Sequence, residues 1–194
     1  MPRSVIALLI VVVAAIVGFG GYRLYEQRLS NAGQPYGGPF TLTDMDGAPI
    51  TEAAFRGHPS AVFFGFTNCP EVCPTTLYEL NGWLAAIGDD GKDIRAYFVS
   101  IDPERDTPEM MKTYVTNVSS RITGITGEPD RVAAMAKSFG IFVRKVDLEG
   151  GDYTMDHTAS VLLLDSAGDI FGTIAYEENP DTAVAKLRRL ANEG

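Results

Sequence analysis

The stretch Ser60-Ala61-Val62-Phe63-Phe64-Gly65-Phe66-Thr67-Asn68-Cys69-Pro70-Glu71-Val72-Cys73-Pro74 runs a compact apolar segment straight into the chain's only two cysteines. Ser60 to Phe66 lacks the alternation of a half-exposed strand and reads as one buried on both faces, at the centre of a sheet. Pro74 suits the first turn of a helix, where a missing N–H costs nothing. After it Leu77, Leu80, Leu84 and Ile87 recur at helical spacing up to Gly88, which defines one buried face. Strand, cysteine loop and helix together place two thiols at the edge of a sheet.

The same reading extends outward. Phe40 to Asp44 alternates apolar and polar, and Met45-Asp46-Gly47-Ala48 turns the chain into Pro49-Ile50-Thr51, a short hairpin. Ile94 to Ile101 is a second core strand. The loop Asp102-Pro103-Glu104-Arg105-Asp106-Thr107-Pro108-Glu109 then opens a helix, with Thr107 as N-cap and Met111, Tyr114, Val115 and Val118 on its inner face. Ile122 to Thr126 reads as a strand and Glu128 to Phe139 as a helix closed by Gly140. Ile141 to Val146 reads as a strand leading into a loop over Asp147 to Met155. Thr158 to Asp165 and Ile170 to Tyr176 form a hairpin about Ser166-Ala167-Gly168-Asp169, and Pro180 to Ala191 is a closing amphipathic helix. This order predicts a three-layer α/β domain with a mixed central sheet, without internal repeats.

A length of 194 residues with 45% hydrophobic side chains fits one such domain plus an appendage. Val5 to Tyr22 carries no charge, and its 18 residues reach roughly 27 Å as a helix, close to the thickness of a bilayer core. We read residues 1–22 as a membrane anchor, residues 23–38 as a Gly- and Pro-containing linker, and residues 39–194 as the folded domain. A removable signal peptide is the rival reading, but no clear small-x-small site follows the apolar run. The flanking Arg3, Arg23 and Arg28 leave the orientation nearly balanced. The formal charge of −9 disfavours nucleic acid as a partner and suits a cationic or metal-carrying protein.

Cys69 and Cys73 are four residues apart, so on a helical turn their α-carbons stand about 6 Å from each other. At that distance a disulfide can close or two thiolates can clasp one soft metal ion. Asn68 and the amides at the helix start are expected to favour thiolate. Two thiolates leave a soft ion short of a third ligand, and the chain has two histidines. His58, in a turn before the first long strand, reads as an ordinary loop residue at the far end from the cysteines. His157, expected at the foot of the Thr158 strand, is the better candidate, although a structural histidine is the default for it taken alone. Two sulfurs and an imidazole suit Cu(I), whereas structural zinc wants a fourth ligand. Asp102, Met155 and Asp156 are possible outer groups, each more often a loop residue or a spacer.

Phe40-Thr41-Leu42-Thr43-Asp44, Phe64 to Pro74, Ser100-Ile101-Asp102-Pro103-Glu104-Arg105-Asp106-Thr107-Pro108 and Asp156-His157-Thr158 occur in an order that resembles the Sco/SenC family of copper proteins. The resemblance covers nearly the whole domain. It implies a thioredoxin-like fold, copper held by Cys69, Cys73 and His157 as Cu(I) or Cu(II), and an N-terminal anchor with the domain outside the cytoplasm. It further implies a copper-donor protein and an acceptor, the binuclear copper site of cytochrome c oxidase subunit II. For a bacterial chain this means a single-pass inner-membrane protein with its C-terminal domain in the periplasm.

The competing reading is a thiol-disulfide oxidoreductase working through the same Cys69 and Cys73. Three residues separate the pair, unlike the two of thioredoxin, and no proline stands just before the Thr158 strand. A peroxiredoxin expects a threonine where Pro70 precedes Cys73. A copper or redox sensor shares every ligand with the carrier.

Overall fold

The computed structural model describes residues 16–23 and 36–194. The predicted anchor and linker, residues 1–22 and 23–38, lie largely outside them. Residues 16–23 are helical and exposed; among the described residues no helix is long and apolar enough to cross a membrane. Pro35–Gly194 forms one compact unit, in which Tyr36 already meets Phe139 edge-on.

Seven strands make one mixed sheet: β1 (Thr41–Asp44), β2 (Pro49–Thr51), β3 (Ser60–Gly65), β4 (Arg95–Ser100), β5 (Ile122–Thr126), β8 (Val161–Leu164) and β9 (Ile170–Ile174). Their order is β2-β1-β5-β4-β3-β8-β9. β3, β4 and β5 are parallel, and the outer pairs are antiparallel. All six residues of β3 are buried, as the unbroken apolar run requires of a strand covered on both faces.

Alternation along β3 sorts the layers, because neighbouring side chains point to opposite faces. Phe63 stacks on Phe98 of β4, which stacks in turn on Tyr114. That face is covered by α1 (Val72–Ala86), α2 (Pro108–Val118) and α4 (Pro180–Glu193), with α1 packed on both others. Phe64 points the other way and meets Phe139, just beyond α3 (Pro129–Ser138). The result is the expected three-layer α/β domain. Thr107 caps α2, its hydroxyl accepting from the Met110 amide at 3.3 Å.

One region departs from the sequence reading. The segment expected as a loop contains β7 (Tyr153–His157), which pairs antiparallel with β6 (Val143–Asp147) from Val143↔His157 to Asp147↔Tyr153. This ribbon is a second sheet, with no strand partner in the first. Gly150 and Gly151 both take positive φ at its turn, a backbone that only glycine adopts freely. The pattern Tyr153-Thr154-Met155-Asp156-His157 is hard to recognise because no position of β7 is fully buried. His157 therefore ends the ribbon, and the core strand begins only at Val161.

Candidate metal centre

Both cysteines lie beyond the carboxyl end of β3, where open α/β sheets place their ligands. Cys69 is half-buried in the loop and Cys73 is fully buried in the first turn of α1. Glu71, the N-cap residue of α1, gives no side-chain cap; the Cys69 sulfur instead accepts the Cys73 amide at 3.3 Å. One of the orphan N–H groups of the helix start is thereby satisfied by a sulfur.

The two thiols differ sharply in acidity. The Cys73 thiol donating to the Cys69 sulfur is the main cause that pushes Cys69 down to about 4; burial opposes it, and His157 and the amides of Cys73 and Glu71 reinforce it. The same bond, with burial, drives Cys73 well above the ordinary thiol range. Asn68 is exposed and is not among these causes, which corrects the expectation that it would help. The backbone and the partner thiol supply the effect.

His157 approaches from the ribbon. Its Nε2 lies 3.6 Å from the Cys73 sulfur although 84 residues separate the two in sequence. Its Nδ1 is 2.9 Å from the Thr158 carbonyl oxygen. A carbonyl only accepts, so Nδ1 carries a proton, and Nε2 is the ring nitrogen that faces the sulfurs. Phe66 and Phe63 meet the ring edge-on at 5.9 and 6.1 Å.

The site thus brings together Cys69, Cys73 and His157. A sulfur and a nitrogen bound to one ion at about 2.3 and 2.1 Å and roughly 120° apart stand about 3.8 Å from each other, close to the observed approach. Among the described residues, however, no three His, Cys, Asp or Glu groups already converge tightly enough to enclose a metal ion. His58 is remote, at the opposite end of β3, where its Nδ1 lies 3.2 Å from both the Pro59 carbonyl and the Ser60 hydroxyl. Asp156 pairs with Arg144 at the surface, and Met155 lines a cavity beside the ribbon.

Two further features were hidden in the sequence. A Cβ on Gly65 would come within 2.7 Å of the Cys73 sulfur and of the Phe98 ring, so only glycine leaves room for that thiol. Asp106 is completely buried and accepts from the Thr67 hydroxyl at 2.6 Å, the Thr67 amide at 3.1 Å and the Ser100 hydroxyl at 2.6 Å. It ties the cysteine loop to the end of β4. Burial pushes its carboxyl up, and the bonds from Ser100 and Thr67 oppose that.

The model of the SCO1/SenC family matches residues 29–192. The chain belongs to the SCO1/SenC family. It is 32% identical over 151 residues to an SCO2-like protein of Rickettsia prowazekii, covering 77% of this chain and 71% of that one. Mitochondrial protein SCO2 of Saccharomyces cerevisiae is 34% identical over 175 residues, covering 86% of this chain. The chain spans only 58% of that yeast SCO1/SenC relative's length. Among solved structures, Bradyrhizobium japonicum ScoI with copper bound superposes with a TM-score of 0.73 at 41% identity, covering 79% of this chain and 98% of that one. The fold is accordingly the thioredoxin-like one that the sequence resemblance implied, with a mixed central sheet.

Proposed function

We propose that this SCO1/SenC chain is a metallochaperone that carries copper on Cys69, Cys73 and His157 and delivers it to the binuclear copper site of cytochrome c oxidase subunit II, after loading from a donor protein. The observation that carries the reading is the approach of His157 Nε2 to within 3.6 Å of the Cys73 sulfur. Family membership and the copper-bound relative support it. Two soft sulfurs and one nitrogen satisfy Cu(I) in three-coordination. Cys73 is buried and Cys69 half-exposed, so an acceptor thiolate reaches the metal from the Cys69 side. Transfer is then ligand exchange, with the copper staying Cu(I).

The same reading assigns residues 1–22 to a single-pass anchor in a bacterial inner membrane, residues 23–38 to its tether, and the domain to the periplasm. A C-terminal alkaline phosphatase fusion should then be active; an inactive fusion with normal expression overturns that placement.

The test of the copper reading is competition titration of the reduced full chain in detergent with a chromophoric Cu(I) chelator. One Cu(I) should bind per chain. Cys69→Ser, Cys73→Ser and His157→Ala should each weaken it by more than the roughly 10–100-fold that loss of an outer partner costs. Unchanged affinity in His157→Ala overturns the three-ligand reading, and unchanged affinity in either cysteine variant removes that sulfur from the site.

The acidity split within the pair favours a second use. An acidic, accessible thiolate beside a buried thiol is the arrangement of a dithiol reductant. Cys69 would attack a target disulfide, and Cys73 would resolve the mixed disulfide, leaving the target with two thiols and this pair oxidised. Rapid reduction of a target disulfide by a chain that binds no copper would make this the primary function.

A further inference from the structure

We propose that Arg105 and Tyr153 are positioning residues for His157, and that the loop 102–106 sets the spacing between the histidine and the two thiols. The proposal rests on the copper reading and adds the device that brings the third ligand into place.

The need for such a device follows from the ribbon. β6 and β7 share no backbone ladder with the main sheet, and a cavity of about 630 Å³ lies beside them, walled in part by Phe142, Val143 and Met155. Val143 and Met155 rest against the core, but no sheet hydrogen bonding fixes how the ribbon is turned.

A clamp at its far end does. The Tyr153 hydroxyl donates to Asp102 Oδ1 at 2.7 Å, and the Arg105 guanidinium lies 3.8 Å from the centre of the Tyr153 ring. Arg105 also donates through Nε to Asp102 Oδ2 at 2.5 Å and through Nη1 to the Tyr153 carbonyl at 3.0 Å. Lys145, from the other strand, sits 3.7 Å from the same ring centre. Asp102 is only 3% exposed, so this charge pairing is sheltered from solvent on the carboxylate side. Charge-assisted bonds and a guanidinium against an aromatic face are among the stronger polar contacts available to a protein.

The clamp continues to the cysteines. The Asp102 amide donates to Ser100 Oγ at 3.0 Å, and Ser100 donates to Asp106, which holds Thr67 two residues before Cys69. One short loop therefore carries three carboxylates, of which Glu104 accepts from Lys145 Nζ of the ribbon at 2.9 Å. Asp106 holds the cysteine loop and Asp102 holds the histidine ribbon. Tyr153 and His157 are four apart on β7, about 13 Å along the strand and on the same face. Five paired positions stiffen the ribbon between them, so its orientation at Tyr153 is passed on to the imidazole.

The experiment is a double-mutant cycle on Cu(I) affinity in the reduced full chain, with Arg105→Ala, Tyr153→Phe, His157→Ala and both combinations with His157→Ala. X-ray absorption on the same samples reports the imidazole. Arg105→Ala should weaken binding about tenfold, within the range for a residue that orients a ligand, and should reduce the imidazole signal while keeping two sulfurs. Tyr153→Phe keeps the ring under Arg105 and loses only the hydroxyl contacts to Asp102 and Glu104, so its effect should be smaller and in the same direction. In the His157→Ala background neither substitution should weaken binding further. Equal weakening with and without His157, or an unchanged imidazole signal in both Arg105→Ala and Tyr153→Phe, overturns the clamp and leaves the copper reading standing. No loss of affinity in His157→Ala itself removes both.

Discussion

Cys73 stands on a helix packed against a seven-stranded sheet and is wholly buried, whereas His157 ends a two-stranded ribbon in which no residue of its strand is fully buried. The thiols are placed by packing that also forms the core. The imidazole meets the core through the edges of Phe63 and Phe66, and the far end of its ribbon is held by polar contacts to one loop. A site built in this way joins a rigid half to a half that can be re-aimed by few interactions, which suits the carrier role proposed above.

That contrast can be broken in several ways, and the largest effect is expected inside the rigid half. At pH 6 Cys69, held down to about 4, is thiolate and should be carboxymethylated in the native protein, while buried Cys73 should stay protected until the chain unfolds. Mass mapping of the modified cysteine checks this. The Cys69 rate should fall only as the pH drops through about 4, because below that value the thiolate is lost. Comparable labelling of both cysteines at pH 6 contradicts the acidity split.

Phe63 has no exposed surface and lies between the sheet core and the His157 ring. Its replacement by alanine should cost about 3–5 kcal/mol in urea unfolding. Gly65→Ala should cost about 1–3 kcal/mol, the range for forcing atoms into a packed interior, because the added carbon meets both the Cys73 sulfur and Phe98. It should also shift the Cys73 thiol, so copper binding weakens together with stability. Within the ribbon, Arg144→Ala removes an exposed ion pair with Asp156 and should change stability by about 0–1 kcal/mol. A large destabilisation there would show that the ribbon belongs energetically to the core.

The same division explains what could be read from the sequence. β3, α1, β4 and α2 were legible because burial on fixed faces writes itself as apolar runs and helical spacing, and Thr107-Pro108 marks a helix start by local chemistry. The cysteine pair was legible through its position between such elements. β7 was not, since its residues are only partly buried and its pairing with β6 is set by Gly150 and Gly151 at the turn. Placing His157 at the foot of the Thr158 strand missed that turn chemistry; of the two histidines it is the one that lies 3.6 Å from the Cys73 sulfur. The roles of Asp102, Asp106, Arg105 and Tyr153 depend on contacts across 39 to 51 residues of chain, which no local pattern encodes. The visible motif around Asp102 to Pro108 gave a loop and a helix cap, and its second task emerged only from the folded arrangement.

The most direct test of the central claim is X-ray absorption at the copper edge on the reduced, Cu(I)-loaded full chain and on its His157→Ala variant. Two sulfur scatterers and one imidazole nitrogen in the native protein, with the nitrogen lost in the variant, is the predicted result. Two sulfurs alone in both samples would contradict the account, because the ribbon would then bring His157 near the thiols without making it a ligand.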